Sequence, residues 1–209
     1  MQLEELRGAY DAVFSLGQNC TPAIQMEKNG LRPFAGVLDW MMSDTLADVN
    51  RLLRGRFSGF MEFPNLVVTG KGQFNYMVKD TAFNVISVHD FPQSRNTPSN
   101  LATYPEFKVK MDRRIQRFLE KAAAARRVLF VRMLGTKEEV TELNEILGQL
   151  VSYEYRLIII NYSPASELLE VDWQLPNVCA LEMPYADIWN YRSDPHWSRI
   201  FQGIELSAE

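Results

Sequence analysis

Four short runs of the chain are apolar without a break: Ala12-Val13-Phe14, Val128-Leu129-Phe130-Val131, Leu157-Ile158-Ile159-Ile160 and Val178 to Leu181. Runs of this length with no polar alternation predict strands buried on both faces. Between them the apolar positions recur every three or four residues, the spacing of one helix face. This pattern predicts helices over Pro22 to Asn29 (stopped by Gly30), from Ser43 or Asp44 to Arg54, over Glu106 to Ala125 and over Lys137 to Leu150. The second carries Leu46, Val49, Leu52 and Leu53 as a stripe behind the cap candidates Ser43-Asp44-Thr45. Strands alternating with helices predict an α/β fold, a three-layer sandwich around a mainly parallel sheet.

One region departs from that rhythm. From about residue 57 to 92 the texture is β-rich, with Leu66 to Thr69 and Phe74 to Val78 flanking Gly70-Lys71-Gly72 as a hairpin, and Ala82 to Val88 as a further strand. We read this as a β-hairpin insertion in a single domain spanning 1–209, its aromatic residues Phe57, Phe60, Phe63, Phe74 and Tyr76 belonging to the core. Gln93 to Thr103 is polar and predicts a mobile loop of the kind that serves as a lid. The tail from Asp187 to Gln202, with Trp189, Tyr191, His196 and Trp197, predicts a short closing helix.

Composition narrows the function classes. At 209 residues, 46% apolar and 23% charged, the chain resembles an average soluble globular domain. A net charge of −4 argues against nucleic acid or an anionic membrane as partner. No apolar run approaches about 20 residues, and MQLEELRGAY has no signal-peptide character. With only Cys20 and Cys179, a reducing cytoplasm is the expected setting. Two histidines and two cysteines, widely spaced, form no metal motif, and Gly17 stands alone where a phosphate loop needs several glycines. No cofactor and no metal are expected. A small molecule or a peptide is the expected substrate, and the oligomeric state is left open.

The chemistry concentrates in Tyr10 to Met26. There a strand runs through Gly17-Gln18-Asn19 into Cys20, with Thr21-Pro22 opening a helix. A cysteine at a helix start faces unpaired N–H groups and the positive end of the dipole, which favours thiolate. The same position also suits an inert, buried cysteine. In an open α/β sheet, ligands gather beyond the carboxyl ends of the strands, where Gln18-Asn19-Cys20, His89-Asp90 and Asn161-Tyr162-Ser163 all fall. Gln18, Asn19, Asp39 and Asn161 are candidate oxyanion or orienting groups. His89 with Asp90, or His196 with Asp194, is the candidate base pair, although Asp90 follows His89 directly and strand neighbours face opposite ways. Arg132, a charge ending an apolar strand, is a substrate-binding candidate because it needs a partner. Cys179, inside an apolar run, reads as core.

The residues Phe14-Ser15-Leu16-Gly17-Gln18-Asn19-Cys20, Gly30-Leu31-Arg32 and Asp39-Trp40 are followed by His89-Asp90-Phe91, Arg113-Arg114-Ile115-Gln116-Arg117-Phe118 and Leu129-Phe130-Val131-Arg132. In this order they resemble an uncharacterised bacterial family labelled papain-like cysteine peptidase, whose pattern runs S-L-G-x-x-C, G-L-R, P-F-D-W, H-D-F, R-R-I-x-R-F and L-F-V-R. Val37-Leu38 replaces the family's Pro-Phe. The resemblance implies a nucleophile at Cys20 and a base at His89, in a cysteine-dependent hydrolase or acyl transferase. The predicted parallel sheet differs from the papain layout. The strand-turn-nucleophile-helix arrangement is also similar to the SGNH hydrolases, in which a C-terminal Asp-x-x-His completes the site; here the spacing is Asp194-x-His196. The alternative class is a non-catalytic carbohydrate- or protein-interaction domain in which Cys20 is structural and the Arg-rich helix binds the partner.

Overall fold

The computed structural model describes residues 1–185 and 192–208. A 3-10 turn at Leu3–Leu6 leads into β1 (Gly8–Tyr10), β2 (Ala12–Ser15), α1 (Thr21–Lys28), β3 (Met41–Met42) and α2 (Leu46–Arg54). Then follow β4 (Leu66–Lys71), β5 (Asn75–Asp80), β6 (Val85–Pro92), α3 (Tyr104–Ala124), β7 (Arg127–Met133) and α4 (Lys137–Leu150). The last part holds β8 (Glu154–Ser163), β9 (Leu169–Val171), β10 (Val178–Pro184), α5 (Asp194–Phe201) and β11 (Ile204–Leu206).

The four apolar runs are the four parallel strands of the central sheet, whose order is β2-β7-β8-β10 with β9 antiparallel at the edge. Register makes the two faces. Phe14, Phe130 and Leu157 stand side by side and look toward α2, α3 and α4. Val131, Ile158 and Cys179 form the next row and look the other way, toward Met26 of α1 and Trp197, Ile200 and Phe201 of α5. A sheet apolar on both faces has to be covered twice, and the result is the expected three-layer α/β sandwich. No described helix is long and apolar enough to cross a membrane.

The β-rich segment forms β4, β5 and β6 of a second, antiparallel sheet ordered β3-β6-β5-β4. Its inward residues Val78, Val85 and Phe91 share the core of Phe14, Phe118 and Phe130. Phe118 of α3 lies 4.7 Å from Phe14, 5.2 Å from Phe57 and 6.0 Å from Phe130, centroid to centroid, so one helix face links the two sheets. β6 begins at Val85, three residues after the predicted start, because Ala82 to Asn84 turn around the buried Asp80 carboxylate, which accepts from the Ala82 N–H at 2.8 Å. The Gln93 to Thr103 segment is not a free lid. The buried Asn96 pins both of its ends, donating to the Pro92 carbonyl at 2.8 Å and accepting from Thr103 N–H and Oγ1 at 3.1 and 3.0 Å. Of the expected tail helix, α5 is described, while Asp187, Trp189 and Tyr191 lie outside the described residues.

Candidate active site

After β2 the chain must turn sharply to start α1, and it does so in two left-handed residues, Gly17 at φ 77° and Gln18 at φ 88°. Glycine adopts this conformation freely, but glutamine does so only when its surroundings hold it. Ser43 does the holding. Gln18 N–H donates to Ser43 Oγ at 3.1 Å, and Ser43 N–H donates back to the Gln18 carbonyl at 3.0 Å. Arg132 locks this clamp from beneath. Its guanidinium donates to Ser43 Oγ at 2.6 Å, Ser43 O at 2.7 Å, Leu16 O at 3.0 Å and Leu134 O at 3.3 Å. The expectation that Arg132 binds substrate is therefore corrected: it is fully buried, and its donors are spent on the protein's own turn. Burial pushes its pKa down to about 9. Asn19 Oδ1 accepts from the Thr21 N–H, the first of α1, at 2.8 Å, with Pro22 in the first turn where no N–H is needed.

Cys20 is the residue at which this turn becomes the helix, and it faces the second sheet. Its Sγ lies 3.6 Å from His89 Nε2. His89 sits in an irregular stretch of β6, where Val88, His89 and Asp90 oppose the single residue Met77 of β5. Such a bulge re-aims side chains, and here it carries an exposed imidazole toward the helix start. β3 pairs with β6 and sets Trp40 beside it, the indole meeting His89 edge-on at 5.7 Å. The Arg32 guanidinium lies over the indole at 5.1 Å, and its Nε donates at 2.8 Å to Asp39, a buried carboxylate that also accepts from Gly36 N–H at 2.7 Å. A Cβ on Gly36 would stand 2.6 Å from Asp39 Oδ1, so this turn requires glycine.

The electrostatics of Cys20 differ from the sequence expectation. Burial raises its thiol pKa, the Asp39 charge raises it further, and only the residue's own N–H pulls it down. The helix start is thus outweighed by desolvation.

The remaining candidates are dispersed. Asp90 is engaged elsewhere, accepting from Lys110 of α3 and from the Ser87 hydroxyl. Asn161 spends its side-chain amide on Gly135, accepting from its N–H at 3.1 Å and donating to its carbonyl at 2.9 Å. Asp194 docks α5 on α1 through Gln25 at 2.6 Å and Lys28 at 2.7 Å, and His196 lies in the first turn of α5. Cys179 is buried in the core, its thiol pushed up to about 12 by desolvation. Ser43 was read as a cap candidate for α2, a place Thr45 takes, and Arg32 and Trp40 only as parts of motifs, with no role in the site. Among the described residues no group of three or more His, Cys, Asp or Glu is placed to hold a metal.

The model of a family described as "putative papain-like cysteine peptidase" matches residues 11–164. The chain belongs to that family. The matched span holds the Cys20 turn, His89, the Arg132 clamp and the whole second sheet, and ends before α5 with Asp194 and His196. An uncharacterized protein of Acanthamoeba polyphaga mimivirus is 26% identical over 163 residues, covering 68% of this chain and 73% of its own. No solved structure matches the chain.

Proposed function

We propose that this peptidase-family member is a cysteine-dependent hydrolase or acyl transferase in which Cys20 is the nucleophile and His89 the base. One observation carries the reading: the Cys20 sulfur lies at hydrogen-bond distance from an imidazole nitrogen, at the start of a helix. A thiol with a raised pKa does not react as a preformed thiolate, so His89 acts as a general base. Cys20 Sγ forms a bond to the acyl carbon as its proton passes to His89 Nε2 and the carbonyl electron pair moves onto oxygen. The Cys20 N–H, with the amide of Asn19 or Gln18 beside it, stabilises that oxyanion. When the carbonyl reforms, the leaving group departs with the proton held by His89, leaving a thioester on Cys20. Water or another acceptor then resolves it, His89 again taking the proton. Trp40 orients the imidazole, in place of the Asp90 carboxylate read from the sequence. The match to the family over residues 11–164 favours His89 over His196, which lies beyond it.

The test is iodoacetamide labelling of the folded protein, with the modified residue identified by mass. One of the two thiols, Cys20, is expected to react, and His89→Ala to slow the reaction at pH 7 by about tenfold or more. His196→Ala should leave the rate within twofold. If Cys20 labels only after unfolding, or His89→Ala labels as fast as the wild type, this assignment is wrong.

A further inference from the structure

α1 ends at Lys28, and Gly30, left-handed at φ 73°, turns the chain off the helix. The Leu31 N–H donates to the Met26 carbonyl at 2.8 Å, and Leu31 is buried in the same core as Met26. Arg32 follows directly on this anchor, with a side chain only 11% exposed. Its Nε donates to the buried Asp39 carboxylate at 2.8 Å, and its Nη1 reaches Glu27 of α1 at 3.5 Å. The same guanidinium lies over the Trp40 ring, 5.1 Å from its centroid. A delocalised, weakly hydrated cation can hold a carboxylate and a ring face together. A lysine ammonium, compact and strongly hydrated, would follow the carboxylate and leave the ring.

Trp40 passes this restraint to the site. Its carbonyl accepts from the Val88 N–H at 3.4 Å, which ties its backbone to β6 at the residue before His89. The side chain is half-buried, and its ring meets the Arg32 cation and, at 5.7 Å, the His89 imidazole. His89 is exposed and lies at a bulge. An exposed side chain has several rotamers open to it unless a neighbour restricts it. The indole is that neighbour, and it is steady only if something holds it in turn.

We propose that Arg32 is a positioning residue for the Cys20–His89 pair: anchored on Asp39, it holds the Trp40 indole against His89 and so keeps the imidazole at the sulfur. Its effect passes through Trp40. A base works only within hydrogen-bond reach of the proton it takes. Loosening the indole therefore slows steps that need His89 and spares those that need no base. This inference rests on Cys20 and His89 being the reactive pair.

The test is the iodoacetamide rate of Cys20 at pH 7 and on the alkaline plateau, where the thiolate forms without a base. Arg32→Lys keeps a cation beside Asp39 and gives up the ring. At pH 7 it should label about tenfold more slowly than the wild type, and adding His89→Ala should slow it by less than about threefold more. On the plateau it should label within about twofold of the wild type. In a Trp40→Leu background, Arg32→Lys should change neither rate further. Equal slowing at pH 7 and on the plateau would make Arg32 a structural residue and overturn the proposal. If His89→Ala slows Arg32→Lys as much as it slows the wild type, Arg32 does not position the base, and the Cys20–His89 pair stands. If His89→Ala leaves the wild-type rate unchanged, the base assignment fails and this inference with it. Should Arg32→Lys fail to fold, Trp40→Leu decides. It must remove the His89 effect at pH 7 and keep the plateau rate, and any other result overturns the proposal.

Discussion

At the residue scale, Cys20 is governed by what surrounds its sulfur more than by its place on a helix. Desolvation and the Asp39 charge both oppose the thiolate, and one N–H favours it. The sign follows directly. A raised thiol pKa leaves less thiolate at neutral pH, so the midpoint of the iodoacetamide rate profile should lie above the midpoint of a free thiol, about 8.5. Asp39→Asn removes the charge that disfavours the thiolate while keeping an acceptor for the Gly36 N–H. It should move the midpoint of the rate profile to lower pH. A midpoint unchanged or moved upward in the variant would show that Asp39 does not act on the sulfur. The helix-start signal was legible in the sequence, and its direction was right; its size against burial was not, because desolvation depends on neighbours from other segments.

At the scale of elements, the turn between β2 and α1 is held from outside. Gln18 stays left-handed because Ser43 bonds both its N–H and its carbonyl, and Ser43 is itself fixed by Arg132 from β7. Ser43→Ala leaves the Gln18 N–H and one Arg132 N–H without their acceptor. Two unmet donors predict a loss of about 2–4 kcal/mol in urea unfolding, together with slower Cys20 alkylation in the folded protein. A loss below about 0.5 kcal/mol would mean that water replaces the hydroxyl. Arg132 was visible in the sequence as a charge that needed a partner. The partner proved to be a serine and three carbonyls of the protein itself, which no local pattern announces. The pinned Gln93 to Thr103 loop makes the same point: its polar composition was plain, and the buried Asn96 that ties it was not.

At the scale of the molecule, the two sheets share one core. Phe118 packs against Phe14 and Phe130 of the parallel sheet's core and against Phe57 of the β-rich segment. The segment has no separate set of buried residues to stabilise it alone. Unfolding should therefore be a single transition, with tryptophan fluorescence and far-UV circular dichroism giving coincident midpoints. Phe118→Ala should lower stability by about 3–5 kcal/mol and shift both signals together. Two separated transitions would show that the second sheet folds by itself. The coupling matters for the site, because Cys20 extends from one sheet and His89 lies on the other.

The alternation of apolar runs and amphipathic stretches determined the α/β class, the parallel sheet and the β-rich segment, because burial on two faces or one leaves a periodic mark on the chain itself. The family resemblance in the order of its motifs is what singled out Cys20 and His89. Which groups meet was decided in three dimensions. Parallel pairing places the Cys20 turn at a strand end, and a bulge in an antiparallel sheet brings His89 to 3.6 Å. Those contacts join residues far apart in sequence, and distance along the chain carries no record of distance through space.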